Sequence, residues 1–169
     1  METFQTIINR RSIRKYKSSK IEEEKINLLL KAAMYAPSAM NLQPWRFIVI
    51  NSEEVIQETV KSVPHAEMIK QSGNAILVCG DASLEKNESW LIQNCSAATQ
   101  NILLAAYNLG LGTCWIAVHG MSDVMKNLKT QFKLPEEIIP VALVALGYPD
   151  EEVKTEERFK EEKIHYNNW

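Results

Sequence analysis

Three arginines and a hydroxyl fall within five residues: Arg10, Arg11, Ser12 and Arg14. Guanidinium forks and a hydroxyl suit a phosphate monoester, each charge-assisted hydrogen bond contributing about 1.5–3 kcal/mol. The same run also reads as a solvated basic edge. A second stretch, Ala36-Pro37-Ser38-Ala39-Met40-Asn41-Leu42-Gln43-Pro44-Trp45, fills a turn with small and amide-bearing residues. Such a loop can lay backbone groups and the Asn41 amide against a flat heteroaromatic ring, or simply form a rigid connector with Trp45 plugging the core. In the third, Gly110-Leu111-Gly112-Thr113-Cys114-Trp115-Ile116-Ala117, two glycines either admit close backbone approach or merely end a helix. It is neither a GxGxxG fingerprint nor a P-loop, having no following Lys-Ser/Thr.

Other chemistry is absent from the pattern. Cys79, Cys95 and Cys114 are widely spaced in apolar runs, without a CxxC or CxxH pair, and read as buried reduced thiols rather than metal ligands. No pair of carboxylates and no Ser/His/Asp or Cys/His grouping demands a protein nucleophile, so no catalytic side chain is assigned. Asp81, at the end of an apolar run, reads as a turn or helix cap.

The elements that must position these groups are legible in the periodicity. Phe4, Ile7 and Ile8 mark a short opening helix to about Asn9. The next helix buries Ile26, Leu29, Leu30 and Ala33, starts in the acidic turn Glu22–Glu24 and stops before Pro37. Strands are expected at 47–50, 75–80, 113–118 and 140–147, and a modest helix at 53–61. The strongest helical signal runs from about Glu88 to Leu109, apolar around most of its circumference, with Gly110 at its end. Ser122 is placed to cap a short helix carrying Val124, Met125 and Leu128. Alternating helices and few strands suggest a layered α/β or α+β sandwich around one small sheet.

The 169 residues fit one domain, with 46% apolar and 24% charged side chains. The net charge of −2, from 19 basic and 21 acidic residues, gives no global attraction to nucleic acid or anionic membrane. The longest apolar runs fall far short of the roughly 20 residues of a membrane span. The opening has no basic segment followed by an apolar one, so a cytoplasmic, reducing setting is expected. From Pro149 to Lys163 the chain is highly charged and lacks an apolar period, yet it ends in Ile164-His165-Tyr166-Asn167-Asn168-Trp169. Alone the stretch resembles a disordered tail; an aromatic terminus usually docks on something.

Taken together, the arginine run, the Ala36–Trp45 loop, the Gly110–Ile116 run and Gly147-Tyr148-Pro149 occur in the order and spacing of the nitroreductase family, which the chain resembles over nearly its whole length. The resemblance implies an α+β fold, a three-layer α-β-α sandwich around a small mixed, mostly antiparallel sheet. It also implies a single domain over 1–169 that forms an intertwined homodimer with FMN between subunits. Carried over, Arg10, Arg11, Ser12 and Arg14 would hold the phosphate and ribityl chain, with Arg158 adding a phosphate contact from the tail that Gly147 opens. Pro37, Ser38, Ala39 and Asn41 would come from the partner and edge the isoalloxazine ring. Trp115, Ile116 and Ala117 would line the other side, a backbone N–H near Ala117 or Val118 facing flavin N5. Residues 149–169 would wrap the neighbouring subunit. The implied activity is ping-pong hydride transfer from NADH or NADPH through N5 to quinones, nitroaromatics or similar small acceptors. Alternatives are a non-catalytic FMN-binding or redox-sensing module and, on the same fold, dehalogenase or oxidase chemistry. Against the family pattern, Glu156 and Glu157 stand where a second basic residue is frequent, Ala117 where glycine is, and Asn94 where aspartate is. His65 and His119 are candidates to edge the ring; His165 belongs to the tail.

Overall fold

A computed structural model describes residues 2–169. Its elements follow the expected order: α1 (Thr3–Asn9), α2 (Glu23–Met34), β1 (Trp45–Ile50), α3 (Glu53–Ser62), α4 (Met68–Ser72), β2 (Ala75–Asp81), α5 (Glu88–Asn108), β3 (Gly112–Ala117), α6 (Ser122–Gln131) and β4 (Ile138–Gly147). The strands form one sheet in the order β1-β2-β4-β3. Every ladder is antiparallel, and the only parallel pairing among the described residues is an isolated bridge from Ser12 to Thr113.

Alternation along the two central strands builds two cores. Ile76, Val78, Ala142, Val144 and Leu146 face one side, where they meet Ile26, Leu29 and Ala33 of α2 and Cys95, Ala98, Ile102 and Ala106 of α5. Leu77, Cys79, Leu143 and Ala145 face the other, packing on Ile56 and Val60 of α3, Ile69 of α4 and Val124 and Leu128 of α6. The result is a three-layer α-β-α sandwich, as expected. β2 is buried along all seven residues, which is why it reads as a continuous apolar run rather than an alternating one.

Local chemistry sets the helix ends. Asn87 caps α5, its Oδ1 accepting from the Trp90 amide at 3.2 Å. Acidic Glu23 and Glu24 in the first turn of α2 suit its positive end. Tyr148 ties that turn to the end of β4: its hydroxyl donates to Glu22 at 2.7 Å and accepts from Lys25 at 2.6 Å. The three cysteines are buried and free, and burial pushes the Cys79 and Cys95 thiols up to about 12. Asp81 makes a turn, accepting from the Ser83 amide at 3.1 Å and from its hydroxyl, and also pairs with Arg46 at 2.6 Å.

Two expectations change. Ser122 is the first residue of α6 rather than its cap; Met121 holds the cap position and no side chain bonds there. α4 had no counterpart in the sequence reading, because five residues with two buried side chains are too short to show a period.

Candidate functional site

The basic segment does not wave in solvent. The Ile13 amide donates to the Thr113 carbonyl at 2.9 Å, laying residues 12 and 13 along the outer edge of β3. Gly112 and Gly147 pair across β3 and β4 beneath it. A Cβ on Gly112 would lie 2.9 Å from the Ile13 side chain, and one on Gly147 would lie 2.8 Å from the Tyr16 ring and 3.0 Å from Ser72 Cβ. The paired glycines are therefore the floor on which the segment rests. Tyr16, 1% exposed, plugs it into the core, its hydroxyl donating to the Ile13 carbonyl and its amide donating to Gln71 Oε1 at 2.9 Å.

Above this floor Arg10 and Arg11 gather with Arg158, while Arg14 lies beside the charge of Glu151 instead. Arg11 is turned toward the end of α1, its Nη1 donating to the Ile8 and Arg10 carbonyls, both at 2.7 Å. Arg10 has its Nε buried without a partner. Burial first, then the charges of Arg11 and Arg158, lower the Arg10 pKa, so the tail's Arg158 reaches the same neighbourhood. Among the described residues, no carboxylate comes within 4.0 Å of the guanidinium groups of Arg10, Arg11, Arg14 or Arg158. A cavity of about 360 Å³ opens here, lined by Arg10, Arg11, Tyr107, Thr113, Glu151 and Thr155 among others. Glu152 also stands on the cavity wall, whereas two other nearby acids are committed elsewhere. Glu157 turns back onto the amides of Arg158 and Phe159, at 2.8 and 2.7 Å. Glu151 accepts from the amides of Arg14 and Lys15 through one oxygen, and those backbone bonds first of all hold its carboxyl below the usual range. Arg10 and Arg11, on a cavity wall and without a paired carboxylate, have the chemistry to hold an anion; Ser12, Arg14 and Arg158 are not part of that wall.

The Ala36–Trp45 loop is rigid and strained. Met40, Asn41 and Gln43 all sit at positive φ (50°, 56° and 49°), a conformation that costs about 1–3 kcal/mol at each such residue. Side chains hold it there. Ser38 Oγ accepts from the Gln43 amide at 3.0 Å, Asn41 Oδ1 from Gln43 Nε2 at 2.8 Å, and Asn94 Oδ1 of α5 from the Ala39 amide at 3.0 Å. Trp45 is buried as a plug, while Pro37 and Asn41 remain exposed and Ser38 and Ala39 half-buried. The connector role of Trp45 and a free loop face thus coexist.

Along β3 the residues alternate. Trp115, 36% exposed, and Ala117 look outward, whereas Ile116, 7% exposed, packs inward, leaving only its backbone for a site. From Thr113, beside the arginines, to Ala117 the strand advances about 13 Å. The strand registers put Trp45 and Ala117 at the same end of the sheet but on opposite edges, three strand spacings or about 14 Å apart. One chain therefore brings the arginines and Trp115–Ala117 onto one edge, and leaves the Pro37–Asn41 loop on the other. His119 pairs with Glu88 at 2.9 Å, His65 lies exposed in the turn between α3 and α4, and His165 stacks on Trp169.

Glu151 is the participant that the sequence reading missed. It acts through backbone amides, so residue type and spacing carry no signal of it. Asn94, noted only as a departure from the family pattern, proves to be the loop's anchor. Among the described residues, no group of three or more His, Cys, Asp or Glu is placed to hold a metal, and no helix is long and apolar enough to cross a membrane.

The sequence model of the nitroreductase family matches residues 7–77 and 65–148. A protein of Methanothermobacter thermautotrophicus, provisionally named NADH dehydrogenase/NAD(P)H nitroreductase, is 41% identical over all of this chain and 88% of its own length. An FMN-dependent nitroreductase from Clostridium difficile R20291 superposes with a TM-score of 0.91 at 34% identity, covering 98% of this chain and 99% of its own. A Desulfovibrio desulfuricans structure, provisionally named a nitroreductase and in complex with FMN, superposes with a TM-score of 0.87 at 28% identity, covering 100% and 98%.

Proposed function

The chain belongs to the nitroreductase family, and from that premise we propose that it is an FMN-dependent oxidoreductase working as a homodimer. Electrons come from NADH or NADPH and go to quinones, nitroaromatics or similar small acceptors. The observation that carries this reading is the edge of β3. An anion site with an orphaned, buried Arg10 Nε lies at one end, and the outward Trp115 and Ala117 lie about 13 Å away at the other. That spacing suits an elongated ligand with a phosphate at one end and a flat ring at the other, so the residues present fit FMN. Held there by these residues, FMN would supply the redox chemistry between the nicotinamide nucleotide and the acceptor.

The chain's own residues bind and orient. Arg10, Ser12, Arg14 and Arg158 take the phosphate, with Arg11 holding the end of α1 beside it. The backbone of Trp115, Ile116 and Ala117 flanks the ring. Pro37, Ser38, Ala39 and Asn41, stranded across the sheet in one chain, close the same site when a second copy supplies them. Residues 149–169 reach over that copy from Gly147, and exposed Phe4, Ile7, Phe159, Tyr166 and Trp169 offer the apolar surface for it. The face left open admits reductant and acceptor in turn, which gives ping-pong kinetics.

The test is direct. The purified protein should show flavin absorbance bands, release about one FMN per chain on denaturation, and oxidise NADH or NADPH when a quinone or nitroaromatic is added. A colourless protein that also fails to take up added FMN would overturn the reading. One that binds FMN yet oxidises neither nucleotide with any such acceptor would be a non-catalytic flavin module.

A further inference from the structure

Glu151 is a carboxylate on the wall of an arginine-lined cavity, yet it pairs with none of those arginines. Its surroundings explain why. Residues 13–17 are stitched to the chain on two sides: Ile13 to Thr113 of β3, and Lys15–Lys17 to the stretch after β4. There the Lys17 amide donates to the Tyr148 carbonyl, and the Asp150 amide to the Lys15 carbonyl, each at 2.9 Å. Tyr16 bridges to Pro149. Between these two ladders the amides of Arg14 and Lys15 have no backbone acceptor. One oxygen of Glu151 takes both, the second at 3.1 Å. A side chain thus completes the ladder just where the segment carries its cationic groups.

We propose that Glu151 is a positioning residue of the anion subsite, fixing the course of residues 10–15 and with it the aim of Arg10, Ser12 and Arg14 at a phosphate. The inference rests on the FMN reading above. It also resolves an apparent contradiction. A bare carboxylate beside a phosphate repels it, but this one is engaged by two N–H donors of the backbone that carries the arginines, and its charge acts on Lys15 and Arg14 rather than on Arg10.

The two roles predict opposite signs. If Glu151 acts only as a nearby negative charge, its removal tightens FMN. If it positions the arginines, its removal weakens FMN, and riboflavin, which has no phosphate, is unaffected. The experiment titrates the full-length apoprotein and its variants with FMN and with riboflavin, following flavin fluorescence. Glu151→Ala should lower the preference for FMN over riboflavin at least tenfold, leaving riboflavin affinity within about twofold. Glu151→Gln, whose carbonyl oxygen still accepts from both amides, should retain most of the preference. Glu151→Ser, too short to reach both amides, replaces the alanine variant if that one does not fold and carries the same expected loss. A variant that weakens both flavins equally, or that binds FMN more tightly, overturns the positioning role while leaving the cofactor reading intact. A wild-type protein with no preference for FMN overturns both.

Discussion

Arg10 stands between a helix end and a cavity with part of its guanidinium out of water and two like charges nearby. Such a group weakens the empty protein and strengthens its complex with an anion. Arg10→Ala should therefore act in opposite directions on the two states. FMN affinity should fall by about 10- to 150-fold, the value of one charge-assisted bond at about 1.5–3 kcal/mol. The thermal midpoint of the apoprotein should hold or rise. Fluorescence titration and a melting curve on the same preparation check both halves. Single residues were legible in the sequence where their type alone specifies chemistry, as with the arginine run. They were not legible where orientation decides: Ile116 faces the core, and Arg11 folds back on α1.

Elements meet at the crossing of the basic segment over β3 and β4, and its geometry leaves no room for a methyl group. Gly147→Ala should press on the Tyr16 ring, 2.8 Å from the new Cβ, and cost about 1–3 kcal/mol of stability, read from the urea midpoint. Asp81, which fastens the end of β2, gives a pH dependence. Burial opposes its ionisation, but the Ser83 hydroxyl and amide and the charge of Arg46 outweigh it, and the folded pKa lies below the model-compound 3.8. A depressed carboxylate stabilises the fold above its unfolded pKa and loses that contribution as pH falls through the folded value. Asp81→Asn should accordingly be less stable than wild type at pH 7, and the difference between their urea midpoints should narrow at pH 3. At this scale the sequence was most informative. The long period of α5 and the apolar runs of β2 and β4 are strong because both faces of the sheet are covered. α4 escaped because a single turn has no period, and strand order escaped because pairing is a matter of distant contacts.

The whole chain leaves large apolar side chains in water. Phe159 is 67% exposed and Trp169 fully so, at the end of a tail with no buried residue after Glu151. Truncation after Val153 should convert the proposed dimer, measured by light scattering, into a species dominated by monomer, and should abolish FMN retention through gel filtration. In the full-length protein the melting temperature should rise with protein concentration, since association favours the folded state by mass action. The tail's purpose was only half legible: its charge reads as disorder and its aromatic end as a contact, yet within this chain that end stays exposed.

None of the residues proposed to touch the cofactor belongs to β2 or to the interior of β4. They come from the first fifteen residues, one connector, an outer strand and the last twenty-odd positions. The centre of the sheet, buried between the two helical layers, supplies cohesion. Such a division suits divergence: the rim can be diversified for new acceptors while the interior keeps its reserve of stability. Rim and interior meet along β3, where Trp115, Ile116 and Ala117 pair with Val144, Leu143 and Ala142, so only substitutions distant from that seam should combine additively in an evolved variant.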